Sequence, residues 1–170
     1  MQGYNAQAAV TTGQIIVGAD VITTSGDYGQ LGPVVDTALR DLRNAGVTEK
    51  PVTVLADAGY WHTQQMEKIV ADGTQVLIPP DSGLRAGARP GWEGGYYAFM
   101  RRVLATDHGH ALYSKRKDSI EPVFGQLKGN RRLDRFLRRG RRAVRSEWRL
   151  ITATHNLLKL HSQWIAPATG

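Results

Sequence analysis

The order in which strand-like and helix-like segments alternate constrains this chain more than any single motif. Residues 4–10 and 14–21 are β-prone runs separated by Thr-Thr-Gly, and the spacing predicts a hairpin. Residues 31–45 place apolar side chains at 31, 34, 35, 38, 39, 42 and 45, the period of a helix buried along one side, and the pattern stops at Gly46. Residues 52–55 form a short apolar strand, residues 63–71 a helix with Thr63 as N-cap, and residues 75–78 a strand stopped by Pro79-Pro80. Hairpin, helix, strand, helix, strand and further helix is the order of a mixed α/β sheet with helices on its faces.

Beyond residue 79 the pattern becomes helical and basic. Residues 79–95 are rich in Gly, Pro and Arg and read as a mobile loop or insertion. A short helix over 96–104, a turn at Asp107-His-Gly, and a helix starting near Asp118 or Ser119 follow, with Pro122 in that helix's first turn. A long final helix over 144–164 carries Val144, Trp148, Ile151, His155 and Leu158 on one face, so Trp148 and His155 read as core residues.

With 170 residues, 41% of them hydrophobic, the chain can bury one real core, and it reads as a single unit over 1–170. It has no cysteine, which excludes disulfides and thiolate metal sites and fits a reducing, cytoplasmic setting. No apolar run approaches the ~20 residues that span a bilayer, and the expectation is a protein without a membrane partner. The formal net charge is +7, and it is concentrated: residues 115–149 hold 13 Lys or Arg against four acids. Such a block favours a polyanion, since each neutralised phosphate releases counterions. Its interleaving with Leu133, Phe136, Leu137, Val144 and Trp148 argues against a solvated disordered tail.

Two stretches carry candidate chemistry. Asp57 follows the strand at 52–55 and precedes Ala58-Gly59-Tyr60; Glu121 lies seven residues before Lys128, with Tyr113, Arg116 and Lys117 upstream. Taken alone, Asp57 suits an N-cap or turn, and Glu121 suits an exposed partner for Lys117 on a helix. Together, Leu55-Ala-Asp57-Ala-Gly-Tyr60 and Tyr113 to Lys128 resemble the second half of the DDE transposases of bacterial insertion sequences, in the branch with a Tyr, Arg, Glu, Lys signature. The resemblance runs from Gly3 to Leu160.

What the resemblance implies is a ribonuclease H-like fold, with the hairpin standing for strands two and three, residues 52–55 for strand four and 75–78 for strand five. The first strand, with its carboxylate, is then missing, and Asp20 and Asp27 are the nearby substitutes. It further implies a partial transposase catalytic domain that cuts and joins DNA with two Mg2+ (or Mn2+) ions, with Asp57 and Glu121 as catalytic metal ligands. Tyr113, Arg116, Lys117, Lys128, Arg131, Arg132, Arg138 and Arg139 would contact DNA, and pairing of two element ends makes a homodimer plausible. The family interval from the cation to the Glu fits Lys117, while the interval from Tyr113 fits Arg116, and the sequence does not choose. A non-enzymatic nucleic-acid-binding protein or inactive remnant is the alternative, and a chain lacking a central strand would expose an unpaired edge.

Overall fold

The computed structural model describes residues 3–82, 89–130, 133 and 135–165, the side chain of Asn130 excepted. Strands β1 (Asn5–Val10) and β2 (Ile16–Ile22) pair antiparallel, with Asn5 opposite Ile22 and a register shift between Ala9 and Val10. The second strand starts two residues later than its sequence suggests because Gln14 takes a left-handed conformation, φ 63°, in the connecting turn. Helix α1 (Leu31–Asn44) packs across β2 at Gly18, where an added Cβ would stand 3.0 Å from the backbone of Ala38. Its C-terminus closes with Val47 N–H on the Leu42 carbonyl and Gly46 N–H on that of Arg43, both 3.0 Å, and Gly46 at φ 83°.

Strand β3 (Thr53–Leu55) runs parallel to β4 (Gln75–Leu77), joined through a 3-10 turn at Ala58–Tyr60 and helix α2 (Thr63–Ala71). Thr63 is not the N-cap of α2. His62 occupies that position without a side-chain cap bond. Gln65 instead serves the neighbouring helix: its Oε1 accepts from Gly32 N–H and its Nε2 donates to the Gly29 carbonyl, both at 2.8 Å. These bonds supply the polar partner that Gln30, the uncapped N-cap of α1, does not.

The single mixed sheet expected from sequence is divided. The four strands of the described residues form two separate pairs, β1–β2 and β3–β4, so each has only one hydrogen-bonded neighbour. Each pair has its own core. Trp61, Met66, Ile69, Val76, Leu77 and Ile78 pack around β3–β4 with Leu31 and Met100; Ile16, Ala19, Val21, Val123, Leu127, Val144 and Trp148 pack around β1–β2.

Helix α3 (Gly95–Ala105) matches the expectation, but the turn expected at Asp107-His-Gly is the first turn of α4 (Asp107–Gly125). Thr106 caps it, its Oγ1 accepting from Gly109 N–H at 3.0 Å. Gly109 breaks nothing. It is needed because a methyl there would overlap the Val103 carbonyl of α3. The helix therefore begins well before Asp118 and carries Pro122 inside it rather than in its first turn. It continues as a π-helical turn, Gln126–Asn130.

Helix α5 (Arg141–Ile165) lies along β2, burying Val144, Trp148, Thr152 and His155. Leu158, expected on that face, is 55% exposed. Within the expected insertion at 79–95, residues 83–88 lie outside the described residues. On either side of them, Arg101 grips the Asp81 carboxylate at 2.7 and 2.9 Å and the Trp92 carbonyl at 2.7 Å. No helix among the described residues is long and apolar enough to cross a membrane.

Candidate active site

The end of β3 delivers Asp57 into the start of the 3-10 turn, where its backbone is extended and its Oδ1 accepts from Gly59 N–H at 2.9 Å. The bland and the chemical readings of this residue therefore coexist, since only one oxygen caps the turn. Beside it stands Asp27, from the loop after β2. Its Oδ1 accepts from Asn5 Nδ2 and Gln7 Nε2, both at 2.8 Å. Both carboxylates stand close to Gly59: a Cβ there would be 3.1 Å from Asp57 Oδ1 and 3.4 Å from Asp27 Oδ2.

Asp27, one of two substitutes for a missing acid, is thus next to Asp57. Asp20, the other, is bound to Arg145, with Nε 2.8 Å from Oδ1 and a terminal nitrogen 2.9 Å from Oδ2. That pairing joins β2 to α5.

Gln7 orients Asp27. It is buried, donates to Asp27, accepts from the Tyr60 hydroxyl through Oε1, and takes Trp148 Nε1–H on its carbonyl at 2.9 Å. Burial, then the charges of Asp27 and Asp57, push the Tyr60 phenol well above its ordinary range. Tyr60 is a neutral donor at pH 7, not a nucleophile. Trp61 is a core residue, stacked with Tyr97 at 4.9 Å between ring centroids.

Helix α4 approaches from the other side. Tyr113 donates to the Ala56 carbonyl at 3.2 Å, next to Asp57, and the Arg116 guanidinium lies 5.7 Å from the Tyr113 ring. Burial raises the Tyr113 phenol, opposed by Arg116. Arg116 and Asp57 line the same cavity of about 710 Å³, whereas Lys117 is exposed. The two cations, equivalent by sequence interval, differ in place because one helical residue turns the side chain by ~100°.

Glu121 is exposed, one residue past the cavity-lining Ile120, and is not brought together with the two aspartates. Among the described residues no three His, Cys, Asp or Glu side chains gather closely enough to hold a metal ion. Lys128 sits in the π-helical turn with Nζ 5.8 Å from the Phe124 ring centroid. Arg138 and Arg139 are exposed in the loop before α5; Arg131 and Arg132 lie outside the described residues.

Sequence reasoning missed Asn5 and Gln7 as the groups that hold Asp27, and Tyr60 as the donor to Gln7. Asn5 and Gln7 sit two apart on β1, on one face, and that polar pair on an otherwise apolar strand was the available signal.

The fit to a divalent metal can be judged from these donors. All are hard oxygens, and the two carboxylates use Oδ1 for the bonds above; magnesium takes one or two carboxylates with water and phosphate completing its shell. Asp27 and Asp57 fit that demand. A family model described as Transposase DDE domain matches residues 88–161, a span that contains α3, α4 and most of α5. No curated protein and no solved structure matches the chain.

Proposed function

We propose, for a chain whose residues 88–161 match the transposase DDE domain and so support a DDE transposase, that it cuts and joins DNA strands at the end of β3. One observation carries the reading. The matched segment brings Tyr113 onto the carbonyl of Ala56, the neighbour of Asp57, and Arg116 to the cavity lined by Asp57, an acid outside the match. Two parts of the sequence 56 residues apart, Asp57 and Tyr113, therefore meet at one place.

Asp57 and Asp27 would hold the metal through their carboxylates, with Asn5 and Gln7 fixing the second of them. When bound, divalent ions stabilise the attacking and leaving oxygens of a phosphodiester displacement. Arg116 presents a guanidinium suited to phosphate beside the acids, and Tyr113 holds the helix to the strand end. Lys128, Arg138 and Arg139, all exposed, would position the DNA backbone. Glu121 is the acid of α4 that the resemblance singles out, and its exposure outside the cavity lining makes it the member to test. DNA is the partner this reading requires.

The experiment is plasmid nicking by the purified chain with Mg2+ or Mn2+, repeated with Asp57→Ala, Asp27→Ala and Glu121→Ala. Metal-dependent nicking lost in Asp57→Ala and Asp27→Ala supports the site. Loss in Glu121→Ala as well adds the third acid. DNA binding indifferent to all three changes and to chelator, without nicking, establishes the binding-only alternative.

A further inference from the structure

Helix α5 has a second apolar side. Its inner side buries Val144, Trp148, Thr152 and His155 against β2. At ~100° per residue, Leu150, Ala153, Leu157, Leu160 and Trp164 fall together on the side turned away from that contact. All five are exposed, Trp164 by 89%. A helix on the outside of a protein ordinarily turns polar side chains to solvent, and this one does not. The spacing is specific as well. Steps of three and four residues alternate, which is the a/d repeat of a coiled-coil seam, and Ser146 extends it by one position toward the start of the helix.

We propose that this outer seam pairs antiparallel with the same seam of a second copy of the chain, forming a two-fold symmetric dimer that needs no DNA. Side-chain size points to the second copy. In an antiparallel pair each a position faces a d position, so Leu150 meets Leu160 of the other copy, Ala153 makes room for Leu157, and Ser146 makes room for Trp164. A parallel pair would set Ala153 on Ala153 and Trp164 on Trp164, with a void in one layer and crowding in another. Charge agrees. Arg138, Arg139 and Arg142 are exposed at the start of α5 or just before it, whereas between 150 and 165 only Lys159 is charged at neutral pH, and it donates to Gln14 of the β1–β2 turn. Antiparallel pairing keeps the arginine-rich ends of the two copies at opposite ends of the seam; parallel pairing brings them together. Along its flanks Arg149 falls beside Gln163 of the other copy and Glu147 beside His161, so no like charges are opposed. The pairing does not rest on the DNA reading.

The test is sedimentation equilibrium of the full chain without DNA, across its soluble concentration range. A monomer–dimer equilibrium is expected, and Leu157→Glu should raise its dissociation constant at least tenfold while circular dichroism stays unchanged. The chain has no cysteine, so single substitutions report the orientation through a short thiol-reactive cross-linker. Thr154→Cys lies near the two-fold axis and should give a covalent dimer; Ser146→Cys, whose two copies stand roughly 27 Å apart along an antiparallel seam at 1.5 Å per residue, should not. Should Leu157→Glu fail to fold, these two variants give the answer with the apolar seam intact. A chain that stays monomeric, because the seam stays bare or serves a different protein, overturns the proposal. So does a dimer indifferent to Leu157→Glu, or one cross-linked through Ser146→Cys and not Thr154→Cys. Asp57→Ala should leave the dimer intact, so failure here is distinguishable from failure of the transposase reading.

Discussion

Asp27 and Asp57 both approach Gly59, close enough that a methyl group at that residue would stand 3.4 Å from Asp27 Oδ2 and 3.1 Å from Asp57 Oδ1. Gly59 is exposed and its φ is not left-handed, so the space beside both carboxylates, not backbone freedom, is what the glycine supplies. Gly59→Ala should therefore lower divalent-metal affinity about tenfold, roughly 1.4 kcal/mol, while the melting temperature moves little. Calorimetric titration with Mn2+ alongside a thermal melt checks both halves.

Pro122 has no N–H to give the carbonyl of Asp118, four residues earlier in α4, and Gln14 Nε2 donates to that oxygen instead at 3.1 Å. The β1–β2 turn thus repairs the helix. Gln14→Ala should cost about 0.5–1.5 kcal/mol from this bond, and less in a Pro122→Ala background, where the restored N–H serves Asp118. Gln14 Oε1 also accepts from Lys159, but that loss is common to both backgrounds and cancels in a double-mutant cycle of urea unfolding. Zero coupling would show that the Gln14 bond does not replace the missing one.

The element order was legible because periodicity reports which side of each segment is buried: α1, α2, α3 and α5 appear within a few residues of their sequence reading. The start of α4 was not. Gly109 looks like a breaker until its packing against Val103 is known, and Thr106 is an ordinary threonine until its hydroxyl is seen on Gly109 N–H. Strand pairing was illegible for a similar reason. Edge pairing is a property of what lies beside a strand, so nothing within residues 5–10 or 53–55 announces the division into two pairs; only the first strand expected to be missing from the resemblance pointed to an unpaired edge. At the site, Asp57, Tyr113 and Arg116 were readable as a motif, but the choice of Arg116 over Lys117 at the cavity depends on the rotation of α4. Asp27 needed the fold, since its partners Asn5 and Gln7 are 22 and 20 residues away.

Tyr60 should give the chain an alkaline limit. Burial, with Asp27 and Asp57, raises its folded-state ionisation above the ordinary value of 10.0, and burial raises Tyr113 in the same direction. The unfolded chain then loses these protons first. The stability contribution is complete below about pH 10 and is lost as pH rises above it toward the folded-state values. Tyr60→Phe should flatten that fall between about pH 10 and pH 11, although it is less stable at neutral pH by about 1–3 kcal/mol because Gln7 Oε1 is left unpaired in the core. Urea unfolding across the range measures the slope, and an unchanged slope would remove Tyr60 as its source.

Asp81 works in the opposite direction. Its hydrogen bond and ion pair with Arg101 hold the carboxyl below its ordinary 3.8, so its contribution is present above that pH and fades as pH falls through the lowered value. Asp81→Asn should destabilise modestly at pH 7, on the order of 1 kcal/mol for a part-exposed pair, and match the parent chain once both are acidified. Melting temperatures of the two proteins at neutral and acid pH test the convergence.

The arginines of the basic block divide into two groups that the sequence presents as one. Arg141 Nε donates to the Val21 carbonyl at 3.2 Å and Arg145 binds Asp20, so both fasten α5 to β2. Arg138, Arg139 and Arg142 are exposed. Glu147 holds the loop that carries the first two, its carboxylate oxygens accepting from the N–H groups of Leu137 and Arg138 at 2.8 and 2.9 Å. Arg145→Ala should destabilise the chain by about 1–3 kcal/mol, since Asp20 loses a charged hydrogen-bond partner. Arg138→Ala and Arg139→Ala should leave the melting temperature unchanged and weaken DNA binding, each reducing the salt dependence by about one released counterion. Thermal melts and salt-dependent filter binding of the three variants separate the roles. An Arg145 variant with full stability but a reduced salt slope would place the DNA surface on β2 and α5 instead.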